Sequence, residues 1–452
     1  MSLTAVDFTL SPMLESGTSV NVQDVQDIEE KVYTILESKC QTLHDLNDPN
    51  GFIPYSDLKS IFTAEVIRHI LRQNGKLQLL EHDLEEIVSC ILAEDTSKVM
   101  IKIFAILVLT GMVKYIREFI CNGLTDADLP MTQKPTLDER LSFWKKRKFD
   151  AFSSRQWLVD VPVLDFEIDD LETIEEYPDE TRMPFLHRIP VGKGGQGKVE
   201  KVTVHPSHVV NSSDTIFAMK RMDSLLKWED ETKALNRFRD KSGHDHIIKL
   251  LLAFKYRGKG YLLFPLAEGD LDHYWKLNTS QSFSAEEVHW LIEQCTGIAS
   301  ALRKIHNHLS FHGERRGRHG DIKPGNILWF SNLAEGHGRL VLADLTMTRF
   351  HSDGTVEDTT IKNRAMTMTY RPPEADVNVK TKASQAFDVW SLGCVFLEYI
   401  VWYIMGYDAA RHDSDEYLDS QQRVRQNFNR ARVNEDGADP GSFSFDKFFK
   451  AN

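Results

Sequence analysis

Hydrophobic periodicity changes twice along the chain, and each change limits the folds that it can adopt. From about 24 to 124, apolar residues recur at intervals of three and four, which predicts an α-helical region. After Arg182, short β-like runs follow one another as far as Leu266, and helical patterns return beyond Leu271. Strands followed by helices in one continuous segment predict an α+β fold, with a β-rich part followed by a mainly helical part.

An acidic segment separates the helical region from the rest of the 452-residue chain. Residues 160–180 include ten Asp or Glu and no Lys or Arg. Because such a charge density repels itself, the segment is predicted to be an extended linker, and its interleaved apolar residues leave open that it docks on a neighbouring surface. The predicted parts are a helical N-terminal region at 1–158, the acidic linker at 159–183 and a third part at 184–452, in which strands come first and helices follow.

Composition argues against several kinds of partner. The formal net charge of -13 argues against nucleic acid as the main partner, because phosphate contacts are built from clustered Lys and Arg. The longest strongly apolar stretch of the N-terminal part, 103–113, is too short to cross a bilayer, so no membrane span is predicted. The five cysteines are scattered and indicate neither a disulfide framework nor a zinc site. We therefore expect an intracellular, cytoplasmic protein. Residues 145–148 are basic and are interpreted as a solvated helix face, with a nuclear-targeting signal as the alternative.

An Asp, a Lys and an Asn lie close together within 318–328, at Asp321, Lys323 and Asn326. Phosphoryl transfer needs these three kinds of group. A carboxylate accepts a hydroxyl proton, a cation offsets charge on the moving phosphoryl group, and an amide oxygen holds Mg²⁺. The segment therefore indicates phosphoryl transfer if the other parts of such a site occur around it.

Four glycines lie near the start of the β-rich part, at Gly192, Gly194, Gly195 and Gly197, and a Val-rich strand follows from Val199. Residues without a Cβ atom let main-chain amides close over phosphates. A dinucleotide-binding turn and a plain hairpin share these glycines. The dinucleotide turn requires a helix immediately after the glycines, so the strand found here argues against it.

Lys220 lies in the apolar strand that contains Phe217. Burying an unpaired ammonium group is very costly, so Lys220 needs an anionic partner. Glu231, on the helical stretch 228–238, is the predicted carboxylate, and Glu229 is the second choice. A surface Lys–Glu pair without a function is the alternative.

Three further patterns follow in order: a strand that ends at Asp344, the segment 367–374 with the sequence Thr-Met-Thr-Tyr-Arg-Pro-Pro-Glu, and an apolar helix that begins near Asp388. Together with the earlier patterns they resemble the eukaryotic protein kinase domain over 184–452. Lys323 combined with a threonine at 367 is similar to the Ser/Thr branch. The N-terminal region with its acidic linker is similar to kinase-domain proteins of filamentous fungi.

The resemblance implies the bilobal protein kinase fold, with a β-rich N-lobe at 184–264 and a mainly helical C-lobe at 268–452. It also implies a protein substrate phosphorylated on Ser or Thr and a role for each catalytic residue. Asp321 would deprotonate the substrate hydroxyl. Lys323 would offset charge on the transferring γ-phosphoryl group. Lys220, fixed by Glu231, would position the α- and β-phosphates of ATP.

ATP and Mg²⁺ are the cofactors that the resemblance implies. Asn326 and Asp344 would hold Mg²⁺, and Ala218 and Leu328 would sandwich the adenine ring. Pro265 cannot donate a hydrogen bond, but its position between the lobes needs only its carbonyl group. The residues implied to contact ATP are Gly192, Gly194, Gly195, Gly197, Val199, Ala218, Lys220, Phe264, Pro265, Ala267, Asp270 and Leu328.

Departures from the family pattern leave other hypotheses open. Gly320 stands where an Arg usually pairs with a phosphate on the activation loop, and of the usual Asp-Phe-Gly only Asp344 is present. The stretch 389–452 is short for the rest of the helical lobe, whose C-terminal end is expected to be incomplete. One alternative is a pseudokinase or scaffold that binds partners without efficient phosphotransfer. The other is that the N-terminal helical region is the functional module and binds a partner protein.

Overall fold

The computed structural model describes most of the chain between 27 and 410. The described residues are 27–41, 51–75, 77, 79–132, 138–166, 174–194, 197–238, 243–278, 284–307, 309–310, 313–331, 338–345, 348–352, 368–373 and 384–410.

The chain forms two compact units, and the boundary between them passes through three strands. The first unit comprises Met1–Ile168, Glu175–Gly192 and Glu200–Phe217, and the second comprises Asp169–Ile174, Lys193–Val199 and Ala218–Asn452.

The helices of the first unit pack around one short apolar helix. They are α1 (Asp27–Ser38), α2 (Tyr55–Ile61), α3 (Ala64–Gln73), α4 (Glu81–Ile91), α5 (Ile101–Leu109), α6 (Ile116–Cys121) and α7 (Lys146–Gln156). Every residue of α5 except Lys102 is buried, which explains why its sequence is apolar on all sides. Its first turn lacks a side-chain cap of its own. The carboxylate of Asp126 accepts hydrogen bonds from the main-chain N–H groups of Lys102 and Ile103, at 2.9 Å each, and so satisfies that end of the helix.

The beginning of the acidic segment packs against the first unit. Val159, Val161, Leu164 and Phe166 are buried at nearly alternate positions. Between them, Asp160 accepts a hydrogen bond from the ammonium group of Lys102 over 2.9 Å. Alternation of this kind is typical of an extended segment with one buried face. The part of the segment at 159–166 therefore docks on a neighbouring surface, which is the possibility that its apolar residues left open; 167–173 lie outside the described residues.

The strands begin within this docked segment. They are β1 (Leu164–Asp165), β2 (Glu175–Tyr177), β3 (Phe185–Gly194), β4 (Gly197–Val204), β5 (Val209–Val210), β6 (Ile216–Met222), β7 (Leu252–Tyr256), β8 (Lys259–Pro265), β9 (Gly269–Asp270), β10 (Leu309–Ser310), β11 (Gly313–Arg318), β12 (Ile327–Phe330), β13 (Arg339–Leu342) and β14 (Arg349–Ser352). In the first unit β1 pairs in parallel with β5, with Leu164 opposite Val209.

The second unit combines small antiparallel sheets with helices. β7 and β8 form a hairpin in which Ala253 lies opposite Leu262, and the order of two further sheets is β13-β12-β9 and β10-β11-β14. Aromatic side chains including Trp275, Tyr399 and Trp402 pack together in the core of this unit. The helices are α8 (Leu225–Asn236), α9 (Leu271–Leu277), α10 (Ala285–His306), α12 (Gln385–Met405) and α13 (Tyr407–Ala410); the number α11 is given to a single turn of 3₁₀ helix at Met368–Tyr370.

Helix α12 is, within the described ranges, the one helix long and apolar enough to cross a membrane. Its buried face nevertheless carries Asp388, which is 1% exposed and is held by hydrogen bonds from the same unit. A buried carboxylate with several donors is typical of a helix in a protein core. Its other face exposes Leu397, Ile404 and Met405.

The order of elements agrees with the periodicity of the sequence. Helices occupy the region before 158, strands predominate between 164 and 265, and the longest helices, α10 and α12, follow. The predicted α+β class with a helical N-terminal region is confirmed.

Candidate active site

Lys220 and Glu231 form the most buried ion pair among the described residues of the second unit. The ammonium group of Lys220 lies 2.8 Å and 3.0 Å from the two carboxylate oxygens of Glu231 and 2.9 Å from Oδ1 of Asp344. Lys220 is 8% exposed and Glu231 is 1% exposed. Burial by itself lowers the pKa of Lys220, but the two carboxylates outweigh it and raise that pKa above its ordinary value. Lys220 is therefore a fixed cation with two acidic partners.

Helix α8 selects between the two glutamates that could pair with Lys220. Ser224 caps the helix by accepting a hydrogen bond from the N–H of Lys227. Residues two apart on a helix point in nearly opposite directions, so Glu229 and Glu231 cannot face the same lysine. Glu231 faces Lys220, whereas Glu229 lies 3.3 Å from the ammonium group of Lys255. The second choice, Glu229, thus has a different partner.

Asp321, Lys323 and Asn326 form one hydrogen-bonded group. The ammonium group of Lys323 donates to Oδ2 of Asp321 over 2.7 Å. The amide nitrogen of Asn326 donates to the same oxygen over 2.9 Å and to the main-chain carbonyl of Asp321 over 2.7 Å. Because the nitrogen of Asn326 is used in this way, its amide oxygen is directed elsewhere and can accept a cation. The turn at 324–326 is a 3₁₀ helix that starts with Pro324, which suits the fixed φ of proline.

Asp388 fixes the backbone just before Asp321. Its Oδ2 accepts hydrogen bonds from the N–H of His319 and from Nε2 of His306, and its Oδ1 accepts one from the N–H of Gly320, each over 2.8 Å. The sequence pattern did not point to His306. The signal available was indirect: a carboxylate in an apolar helix needs buried donors nearby.

The ring of His319 links the Asp321 segment to the strand before Asp344. Nδ1 accepts a hydrogen bond from the N–H of Asp321 over 3.3 Å, so Nε2 carries the proton and donates to the carbonyl of Ala343 over 3.0 Å. Alongside, β12 and β13 pair with Ile327 opposite Leu342, and the N–H of Ala343 donates to the carbonyl of Asn326 over 2.9 Å. The backbones of Asn326 and Ala343 are therefore adjacent, and Asp344 follows with a φ of +60°.

Asn326 and Asp344 offer the donor atoms that Mg²⁺ prefers. Carboxylate and amide oxygens are hard ligands, and Mg²⁺ is commonly held by one or two protein oxygens together with substrate phosphates. The hydrogen bonds of Asn326 leave its amide oxygen available, which fits this use. No cluster of three or more His, Cys, Asp or Glu side chains that could hold a metal by themselves occurs in the part of the chain that the structure describes. The donor set therefore fits a cation that is shared with a phosphate ligand.

The glycine segment lies at the junction of β3 and β4. Gly192 and Gly194 belong to β3 and Gly197 begins β4, whereas Gly195 lies outside the described residues. A Cβ atom at Gly197 would come within 2.8 Å of the carbonyl oxygen of Arg221 and 3.4 Å of Cγ of Lys220. Glycine at 197 thus lets this backbone pass close to the strand of Lys220. Val199, two residues on, is half-buried.

The residues predicted around adenine are all half-buried in the second unit. Pro265 ends β8, and Leu328 in β12 lies opposite Asp270 in β9. Asp270 caps α9, because its Oδ1 accepts a hydrogen bond from the N–H of His273 over 2.8 Å. Asp270 is the residue predicted to contact the ribose, and one of its two carboxylate oxygens is used to cap α9. The half-buried residues of this group are Ala218, Phe264, Pro265, Ala267, Asp270 and Leu328.

Parts of two sequence patterns lie outside the described residues: Thr346, which follows Asp344, and both ends of the segment 367–374, Thr367 and Glu374. Among the described residues, the predicted site residues form two clusters. Lys220, Glu231 and Asp344 make up one, and Asp321, Lys323 and Asn326 make up the other. Adjacent strands and the ring of His319 connect the two clusters.

Comparison with known proteins gives consistent matches. A family model described as the protein kinase domain matches residues 187–444. The chain is 30% identical over 216 residues to the CTD kinase subunit alpha of Schizosaccharomyces pombe, covering 46% of this chain and 31% of that protein. It is 25% identical over 215 residues to cyclin-dependent kinase 7 of Dictyostelium discoideum, covering 46% and 52%. It is 26% identical over 227 residues to the probable serine/threonine-protein kinase mps1 of the same organism, covering 48% and 21%. The chain thus spans between 21% and 52% of the length of these relatives.

Proposed function

Because this chain belongs to the protein kinase domain family, we propose that it transfers the γ-phosphate of ATP to Ser or Thr hydroxyl groups of a protein substrate. Proteins of this family use ATP and a divalent metal ion, and the α+β fold of the matched region is the bilobal fold of the family. The observation that carries the proposal is the buried Lys220, held by Glu231 and Asp344. A lysine so fixed beside a metal-binding carboxylate suits the phosphates of a nucleotide.

The Asp321 cluster supports the transfer step. Asp321 is oriented by Lys323 and Asn326, and in this proposal its carboxylate accepts the proton of the substrate hydroxyl as the new phosphate ester bond forms. Lys323, 2.7 Å from that carboxylate, offsets the charge that develops on the transferred group. Departure of ADP breaks the bond between the γ-phosphorus and the bridging oxygen, so that the reaction is balanced by the proton and the phosphoryl group alone.

Mg²⁺, held by Asn326 and Asp344, would neutralise phosphate charge when ATP is bound. Lys220 binds and orients the α- and β-phosphates, and the glycines at 192, 194, 195 and 197 cover them with main-chain amides. Ala218 and Leu328 enclose the adenine ring, with the carbonyl of Pro265 and the N–H of Ala267 as its hydrogen-bond partners.

Several features support the finer parts of the proposal. Lys323 together with Thr367 favours Ser or Thr over Tyr as the acceptor, and one relative carries serine/threonine-protein kinase in its name. All five cysteines are free thiols, which supports an intracellular, reducing location such as the cytoplasm. The N-terminal helical region is proposed as a site for a further protein partner.

A pseudokinase or scaffold is the second candidate, because Gly320 replaces the usual Arg and the Asp-Phe-Gly pattern is reduced to Asp344. Such a protein would bind partners, and bind ATP without efficient transfer. This second candidate predicts that the chain binds nucleotide through the Lys220 cluster. It also predicts that the chain does not transfer phosphate efficiently, whether Asp321 is present or replaced.

The test is transfer of phosphate from ATP with Mg²⁺ to a generic Ser/Thr protein substrate. We expect Asp321→Asn to lower kcat by about 10²–10⁴-fold, the usual contribution of a general base. Lys220→Met should abolish activity through loss of phosphate positioning. Lys233→Met is the matched control for Lys220→Met, since Lys233 is an exposed lysine on helix α8. Nucleotide binding without transfer by the parent chain would establish the scaffold instead.

A further inference from the structure

Trp228 anchors helix α8 to the β7–β8 hairpin. Its side chain is completely buried, and its Nε1 donates a hydrogen bond to the carbonyl of Tyr261 over 3.1 Å. A Cβ atom at Gly260 would overlap the indole ring. The ring therefore occupies the space that any side chain at Gly260 would need, and the hairpin holds a recess that matches the indole.

Lys255, on β7, makes the second contact between this hairpin and α8. Its ammonium group lies 5.4 Å from the centre of the Trp228 ring and 3.3 Å from Oε1 of Glu229. Lys255 thus makes a cation–π contact with Trp228 and an ion pair with Glu229, two neighbouring residues near the start of α8. The hairpin thus contacts α8 through packing, a hydrogen bond and charge.

Trp228 and Glu231 share one face of α8. Residues three apart on a helix are neighbours on its surface, and both side chains are buried in the same unit. A rotation or outward shift of α8 that separated Glu231 from Lys220 would also withdraw the indole from the recess. It would break the hydrogen bond to Tyr261 at the same time.

We propose that Trp228 is a positioning residue for the Lys220–Glu231 ion pair, seated in the recess at Gly260. The protein's own packing then holds α8 in place, without a bound partner or a covalent modification. This inference deepens the proposed function and rests on it, because the ion pair matters there as the holder of the ATP phosphates.

Local opening of α8 is the first measurement, and it needs no enzymatic activity. Trp228→Phe removes the Nε1 hydrogen bond, and Gly260→Ala fills the recess. Trp290→Phe and Gly393→Ala are the matched controls. The first loses a comparable indole bond, from Nε1 of Trp290 to the carbonyl of Gly338 over 2.7 Å, and the second adds a Cβ with no atom within 4 Å.

Hydrogen exchange measured by mass spectrometry should show α8 amides exchanging at least about tenfold faster in Trp228→Phe and Gly260→Ala, relative to the amides of α10. Trp290 lies on α10 itself, so Trp290→Phe should accelerate exchange in α10 and leave α8 unchanged. Gly393→Ala should leave both helices unchanged. Unchanged exchange of α8 in both test variants, or equal acceleration in α8 and α10, would overturn the proposal.

A double-mutant cycle on the KM for ATP separates positioning from general stability. Trp228→Phe should raise this KM in the parent chain and have no further effect once Glu231→Gln is present, because both act through one ion pair. Independent, additive effects would contradict the role. A parent chain without phosphotransfer contradicts the proposed function, while hydrogen exchange still decides for or against Trp228.

Discussion

Gly320 donates its main-chain N–H to Oδ1 of Asp388 over 2.8 Å and adopts a φ of +88°. That φ lies in the left-handed region, where glycine has no steric penalty. The carboxylate that fixes it comes from helix α12, and it is buried. Gly320, which replaces the usual Arg, thus lets the backbone immediately before Asp321 adopt this conformation without strain.

Gly320→Arg should lower the free energy of unfolding. A side chain in the left-handed region costs about 1–2 kcal/mol, and the hydrogen bond to Asp388 opposes relaxation of the backbone. Urea unfolding of the two proteins measures the difference. Gly393→Ala, a change on an exposed helical glycine with open space around it, is the control and should not be destabilising. An unchanged unfolding midpoint for the Arg variant would contradict the strain argument.

Activity should not depend on phosphorylation of the activation loop. Without an Arg at 320, the usual cation that couples a loop phosphate to the catalytic carboxylate is missing. Treatment of the purified protein with a phosphatase should leave kcat and KM unchanged, with complete dephosphorylation verified by mass spectrometry. Loss of activity after that treatment, restored by rephosphorylation, would refute the prediction.

The sequence was sufficient where local pattern and chemistry coincide. The periodicity predicted the α+β class, and the need of a buried lysine for an anion pointed to Glu231. Glu229 and Glu231 point to nearly opposite sides of helix α8. The sequence alone does not determine which of these two sides is buried. Tertiary contacts distinguish the two glutamates: Glu231 pairs with Lys220, and Glu229 pairs with Lys255 on β7.

Contacts between distant segments could not be predicted from the sequence. His306 reaches Asp388 and Trp228 fills the space above Gly260, yet in each case the two residues belong to different elements. Similarly, charge density predicted an extended linker and left open whether it docks, and burial of apolar side chains such as Phe166 outweighs charge repulsion in its first part. Such outcomes depend on which surfaces meet, and local composition carries no information about that.

Lys220→Met should destabilise the second unit as well as remove activity. The substitution leaves Glu231 buried without its cation, and breaking a buried pair in this way costs about 3–5 kcal/mol. Adding Glu231→Gln should recover much of the stability and none of the activity. Thermal or urea unfolding measures the first effect and phosphotransfer the second. Equal stability of the single and double variants would show that Glu231 is not left unpaired.

His208 should make the first unit less stable in acid. Its Nε2 accepts a hydrogen bond from the N–H of Tyr55 over 3.1 Å, so Nδ1 carries the proton and donates to the carbonyl of Pro162 over 3.0 Å. Burial lowers the pKa of His208 from 6.5 to about 4, and the neighbouring His205 and Lys102 act in the same direction. Protonation would direct a second N–H at the N–H of Tyr55.

The sign of the effect follows from that lowered pKa. The unfolded chain binds the proton more readily, so the stabilisation by neutral His208 is complete above pH 6.5 and is lost as the pH falls towards 4. The loss amounts to about 3 kcal/mol over this range. Urea unfolding across the range, followed by hydrogen exchange in peptides of the first unit, measures it. His208→Gln keeps an acceptor for Tyr55 without titrating, and its unfolding free energy should therefore decline less with acid; parallel curves for the two proteins would exclude His208 as the titrating group.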